Sequence, residues 1–174
     1  MIARQMDKLI LTFSPKVVFE IFVPMSFELC RHHVFSVRKN AAKNVYHLLR
    51  LFEDSSDNPK TIIIDKILEF AESKKFSERQ MFIVMVGKIM KMEEKSEIFF
   101  ECFYNRFDSL TNDKIPAVRI SIAQTLQKLF HKKSNLGKRI LFNFLIVKIR
   151  ERPEIQQEIE KLKNDSSYTV CAII

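Results

Sequence analysis

The chain has 174 residues, room for one domain or a short repeat array but not for two enzymes in tandem. Hydrophobic residues make up 47% of it and glycine only 2 positions, Gly87 and Gly137, which excludes phosphate-cradling loops, type I′ hairpins and a Rossmann turn and points to an all-α fold. Tryptophan is absent, so the 16 phenylalanines supply the aromatic bulk, and the formal net charge of +8 bears on solubility and anionic partners rather than on fold.

In chain order, residues 1–12 carry Met6, Leu9 and Ile10 at helical spacing, as in the tail of a preceding helix or a short cap. Next come three segments that align on Arg38, Arg79 and Arg119, at separations of 41 and 40 residues. After each arginine the apolar pattern repeats. Ala41, Phe82 and Ile122 share one register; Val45, Val86 and Leu126 the next; Leu48, Ile89 and Leu129, then Leu49, Met90 and Phe130, complete the stripe. A second stripe precedes each arginine, through Phe22, Ile63 and Phe103, then Ser26, Ile67 and Phe107, then Leu29, Phe70 and Leu110.

Each unit is thus helix A, a tight turn and helix B, with turns near His32–Ser36, Ser73–Ser77 and Thr111–Pro116. Pro15 and Pro59 suit the starts of A helices, and Pro116 the first turn of a B helix, where a missing N–H costs nothing. Ser77 with Gln80 resembles a capping box. Two helices in about 40 residues is the length of a HEAT repeat, and such units bury their apolar faces only by stacking. The expected architecture is an all-α HEAT-type superhelix forming a single array. It has full repeats at 15–52, 59–92 and 96–131, an irregular insertion at 132–152 and a partial last repeat at 153–174. In that last part, Ile155, Ile159 and Leu162 match the A register. Tyr168 stands where Phe35 and Phe76 stand, with Cys171 in the arginine's place.

Cys30, Cys102 and Cys171 form no C-x-x-C pair, so reduced thiols in a cytoplasmic or nuclear protein are expected. The N-terminal stretch lacks a small-residue cleavage site and reads as no secretory signal. The strongest apolar run, 140–147, is broken by Asn143 and is too short to span a bilayer. Cys30, His32 and His33 cluster, but no second ligand pair stands at zinc spacing, so no metal and no cofactor are expected. No nucleophile elbow, zinc-protease motif, P-loop or paired-carboxylate motif is present, and the chain reads as a non-enzyme. Lys39, Lys43, Lys88, Lys91, Lys128, Lys132 and Lys133 recur on B helices. Such a stripe could follow a phosphate backbone, although aromatic residues keep to core registers and do not interleave with it. The final Cys171-Ala-Ile-Ile174 fits a prenylation box, with isoleucine an unusual last residue; the plain alternative is the first turn of a helix.

The run LCRHHVFSVRKNAAKNV resembles the repeats of the scaffold subunit of the type-2A serine/threonine phosphatase. It also resembles those of the HEAT-repeat regulatory subunit of phosphatase 4. NDKIPAVRISIAQTLQKL, SKKFSERQM and EIQQEIEKLKNDSSYTV are similar to further repeats in the same order. The resemblance covers roughly residues 20–131 and 153–171. The chain departs from it in being short and basic, and the insertion has no counterpart. The Asp that opens the turn is kept at Asp113 and Asp165, but His32 and Ser73 stand in its place elsewhere. The resemblance implies a non-catalytic scaffold or regulatory subunit that docks a phosphatase catalytic subunit through its intra-repeat turns. Phe35, Phe76, Pro116 and Tyr168, with Arg38, Arg79 and Arg119, are then the candidate partner-binding residues. Arginines at this position have a second reading, as bonds to the turn Asp of a neighbouring repeat. The rival functions are a basic HEAT module binding nucleic acid and a shortened paralogue or fragment of a larger HEAT protein.

Overall fold

The computed structural model describes residues 2–52, 58–91 and 98–130. Tyr168, Cys171, Lys132, Lys133, the 132–152 insertion and the 153–174 repeat lie outside them, as do the side chains of Leu129 and Phe130. Every regular element among the described residues is helical. The chain divides into two compact units, Met1–Lys88 and Ile89–Ile174.

In the first unit α1 (Ile2–Thr12) buries Met6 and Ile10 and packs against the first B helix, α4 (Phe35–Leu51). The first A helix is built from α2 (Pro15–Val17), a π-helical turn (Val18–Phe22) and α3 (Val23–Cys30). Pro15 opens it at the first helical position, as expected of a residue with no N–H to satisfy. The second hairpin is α5 (Pro59–Glu72) and α6 (Phe76–Ile89). The second unit continues with a π-helical turn (Phe99–Phe103), α7 (Tyr104–Ser109), a 3-10 turn (Leu110–Asn112) and α8 (Pro116–Phe130).

The helical registers read from the sequence form the core. Phe22, Ile63 and Phe103 are buried, as are Ser26, Ile67 and Phe107, then Ala41, Phe82 and Ile122, then Val45 and Val86. Leu29 and Leu126 differ from their register mates and are only half-buried. Ser26 tolerates burial because its hydroxyl donates to the Phe22 carbonyl at 2.7 Å, one turn back on its own helix. The Ser77–Gln80 capping box does not set the start of its helix. α6 already begins at Phe76, and Glu78 and Arg79 N–H both donate to the Lys75 carbonyl.

The two π turns occupy equivalent places, 81 residues apart, and share a Phe-Glu-x-Phe sequence: Phe19 to Phe22 and Phe100 to Phe103. A π turn carries one more residue than an α turn. In both, the last phenylalanine is buried and the glutamate, Glu20 or Glu101, faces solvent. The middle A helix has Lys60-Thr61-Ile62-Ile63 there and remains regular α-helix.

Within the first unit the hairpins are joined by side chains. The Phe27 ring packs on Phe70 at 5.9 Å, Lys66 Nζ lies over Phe27, and Lys88 Nζ lies over the Tyr46 ring at 5.7 Å. Among the described residues the buried Tyr46 hydroxyl has no hydrogen-bond partner, which carries a desolvation cost. Tyr46→Phe should therefore raise stability by about 1 kcal/mol. Leu48→Ala, two residues away on the core face, should lower it by about 2–5 kcal/mol. Denaturant midpoints of the two variants check the pair. Equal loss in both would mean that the hydroxyl is satisfied.

Candidate docking ridge

The site is built on the A–B turns. Helix A ends with carbonyls that have no partner further along the helix, and the turn adds more. All three turns meet this need in the same way. Arg38 Nη1 donates to the carbonyls of His32 and His33, both at 2.8 Å. Arg79 Nη1 donates to those of Ser73 at 2.8 Å and Lys74 at 3.1 Å. Arg119 Nη1 donates to that of Asp113 at 2.7 Å. Each arginine thus reaches back from the first turn of helix B and closes its own hairpin with charge-assisted bonds. Arg38 Nε is buried and, among the described residues, has no hydrogen-bond partner.

The residue opening each turn supplies a second latch. Asp113 Oδ1 accepts the Ile115 N–H at 2.9 Å, Ser73 Oγ accepts the Lys75 N–H at 3.1 Å, and His32 Nδ1 accepts the Val34 N–H at 3.1 Å. Ser73 (φ −63°, ψ 139°) and Asp113 (φ −59°, ψ 136°) share the extended backbone this needs. The replacement of Asp by His32 and Ser73 therefore keeps an acceptor at each position. The bond to His32 uses Nδ1 as acceptor, which assigns the ring proton to Nε2 in the neutral form.

With the turns closed, Phe35, Phe76 and Pro116 become the first residues of α4, α6 and α8. Phe35 is 48% and Phe76 45% exposed, and Pro116 is exposed as well. Val34 beside Phe35 is also exposed. Phe70, Phe82 and Phe103 are completely buried, whereas Phe35, Phe76 and, near the N-terminus, Phe13 are half-exposed; Phe35 and Phe76 share equivalent positions on successive turns. Arg38 and Lys39 both lie 5.6 Å from the centre of the Phe35 ring.

The sequence reading missed Arg31. It sits in the first turn and reaches the second hairpin three ways. Its guanidinium is 4.4 Å from the centre of the Phe70 ring, and its nitrogens are 3.5 Å from carboxylate oxygens of Glu69 and Glu78. This clasp ties the Phe35 and Phe76 turns together. Glu78 is the clue in the sequence. It stands three residues after Lys75, on the core side of α6, and is only 8% exposed.

The Cys30, His32 and His33 cluster is otherwise occupied. His32 accepts a backbone bond and stacks on His33 at 4.2 Å, while Cys30 is buried at the end of α3. Among the described residues no group of three or more metal-binding side chains is found. Burial pushes the Cys30 thiol up from its ordinary 9.0 to about 12, against a smaller lowering by the Arg31 charge. The folded protein then holds a proton that the unfolded chain releases near pH 9.0. Cys30 accordingly contributes stability that is intact below that pH and is lost as pH rises toward about 12. The fall in denaturation midpoint above pH 9.0 should be shallower in Cys30→Ala than in the parent chain. Iodoacetamide should label Cys30 only on unfolding, as read by peptide mapping. Labelling of the folded chain would contradict the burial.

No family model matches the chain. It is similar to the serine/threonine-protein phosphatase 4 regulatory subunit 1 of Mus musculus, at 27% identity over 137 residues, 76% of this chain and 14% of the mouse protein. The Homo sapiens protein of the same name is 27% identical and the Rattus norvegicus one 26%, over the same shares. The chain spans 14% of the length of these curated relatives. The likeness falls on the phosphatase 4 regulatory subunit that the turn motifs themselves suggest.

Proposed function

We propose that the chain is a non-catalytic HEAT-repeat module that regulates a 2A-type serine/threonine phosphatase, working as a scaffold that holds a catalytic subunit against its A–B turns. The observation that carries this reading is the pair of half-exposed rings, Phe35 and Phe76, at equivalent places on turns that are closed by their own arginines. Exposed aromatics on a rigid edge beside cations suit interface anchors. The similarity to regulatory subunits supports a phosphatase-linked role. Pro116 and Arg119 hold the corresponding turn positions in the second unit. The arginines act mainly as turn closers that fix the anchors, since Arg38, Arg79 and Arg119 each commit a guanidinium nitrogen to their own turn. The module works in the cytoplasm or nucleus and needs no cofactor. No helix among the described residues is long and apolar enough to cross a membrane.

A nucleic-acid role receives less support. Lys88 of the basic stripe lies over the ring of the buried Tyr46, so part of the stripe serves the fold.

Phe35→Ala combined with Phe76→Ala should abolish capture of a purified 2A-type catalytic subunit and leave thermal unfolding nearly unchanged. Capture at parental affinity would remove the rings from the interface. Unfolding several degrees earlier would make them core residues.

A further inference from the structure

The charge around the two rings is one-sided. The first turn and the start of its B helix, residues 31–39, carry Arg31, Arg38 and Lys39 and no carboxylate. The second, over the equivalent residues 72–80, carries Lys74, Lys75 and Arg79 against Glu72 and Glu78. Glu78 is buried and held between Arg31 at 3.5 Å and Lys75 at 3.7 Å, so its charge is answered inside the ridge. Glu69, on the last turns of α5, pairs with Arg31 at 3.5 Å and remains exposed. Lys74 is exposed, and the Lys75 side chain is 77% exposed. The outward face of this edge therefore combines apolar anchors (Val34, Phe35 and Phe76) with a cationic surround.

From this we infer that the two-turn ridge recognises an acidic protein segment that carries apolar side chains between its carboxylates. The apolar groups pack on Phe35 and Phe76, and the carboxylates meet Lys39, Lys74 and Lys75. The inference deepens the docking role proposed above and rests on it for the place of the site, not for the chemistry of the partner. Charge complementarity favours an acidic occupant, because a basic one would desolvate like charges against each other. It favours protein over nucleic acid because Arg38 and Lys39 already lie 5.6 Å from the Phe35 ring centre, where a stacked base would need the ring face. In addition, Arg38 and Arg79 direct guanidinium donors to their own turns rather than outward to phosphates.

The test is fluorescence anisotropy of the whole chain with four labelled probes. These are a peptide alternating glutamate with leucine, the same peptide with serine for leucine, the same peptide with lysine for glutamate, and single-stranded oligothymidylate. The glutamate–leucine peptide should bind about tenfold tighter than either altered peptide, and its affinity should fall with added salt. Lys39→Glu with Lys74→Glu should cost about tenfold, and Lys39→Arg with Lys74→Arg should restore binding. Circular dichroism melts check that each variant is folded. Equal binding of the glutamate–serine peptide, tighter binding of the oligonucleotide, indifference to charge reversal, or no peptide binding would each overturn the inference. Capture of the catalytic subunit is measured on the same variants. Capture that ignores the charge reversal sinks this inference and leaves the docking role standing. Peptide binding at the ridge without capture of the catalytic subunit does the reverse.

Discussion

The arrangement depends on one contact made three times, the guanidinium of a B-helix arginine donating to backbone carbonyls of the turn before it. A turn between two helices leaves carbonyls without helical partners, and a hydrogen bond from a charged group contributes about 1.5–3 kcal/mol when it supplies one. Because the bond spans six residues, it fixes where helix B starts relative to where helix A stops. The first residue of helix B is thereby set at the outer edge. In the first hairpin that residue is Phe35 and in the second Phe76, so the latch and the exposed ring are two consequences of one geometry. A residue that looks like a binding arginine in the sequence is here the device that positions its aromatic neighbour.

The same economy holds for the charged groups. A net charge of +8 invites a search for an anionic partner over the whole surface. In the first unit many cations have internal work: Arg31 clasps two glutamates and a ring, and Lys66 and Lys88 lie over Phe27 and Tyr46. Lys74 and Lys75 are exposed on the turn edge beside the exposed rings, while Lys8, Lys16, Lys43 and Arg50 are exposed elsewhere in this unit. A surface on rigid, doubly latched turns loses little conformational entropy on binding, which favours recognition by a preformed edge.

The helices and their buried faces were legible because a 3.6-residue apolar period repeats at separations of 41 and 40 residues, and stacked hairpins have few other ways to bury it. Leu126 shows the limit. Its register matches Val45 and Val86, but burial depends on what packs above it, and periodicity holds no such information. The π turns were not legible from period alone, although the shared Phe-Glu-x-Phe at Phe19 and Phe100 marks them in retrospect. Exposure of Phe35 and Phe76 could be read from their place before the arginine. The Arg31 clasp could not, because it joins residues 38 and 47 positions apart through tertiary packing. His32 and Ser73 looked like losses of the turn Asp, since residue names differ where the hydrogen-bond acceptor is kept.

Under the proposed function, the closed turns, and not the lysine stripe further along the B helices, form the contact surface for a phosphatase catalytic subunit. Hydrogen–deuterium exchange of the chain with and without that subunit tests it most directly, since it reads the contact along the backbone without substitutions. Slowed exchange is expected in peptides covering 33–38 and 74–79, with little change along α4 around Lys43 and α6 around Lys88. Protection confined to the B-helix stripe, or an unchanged exchange pattern at saturating catalytic subunit, would contradict it.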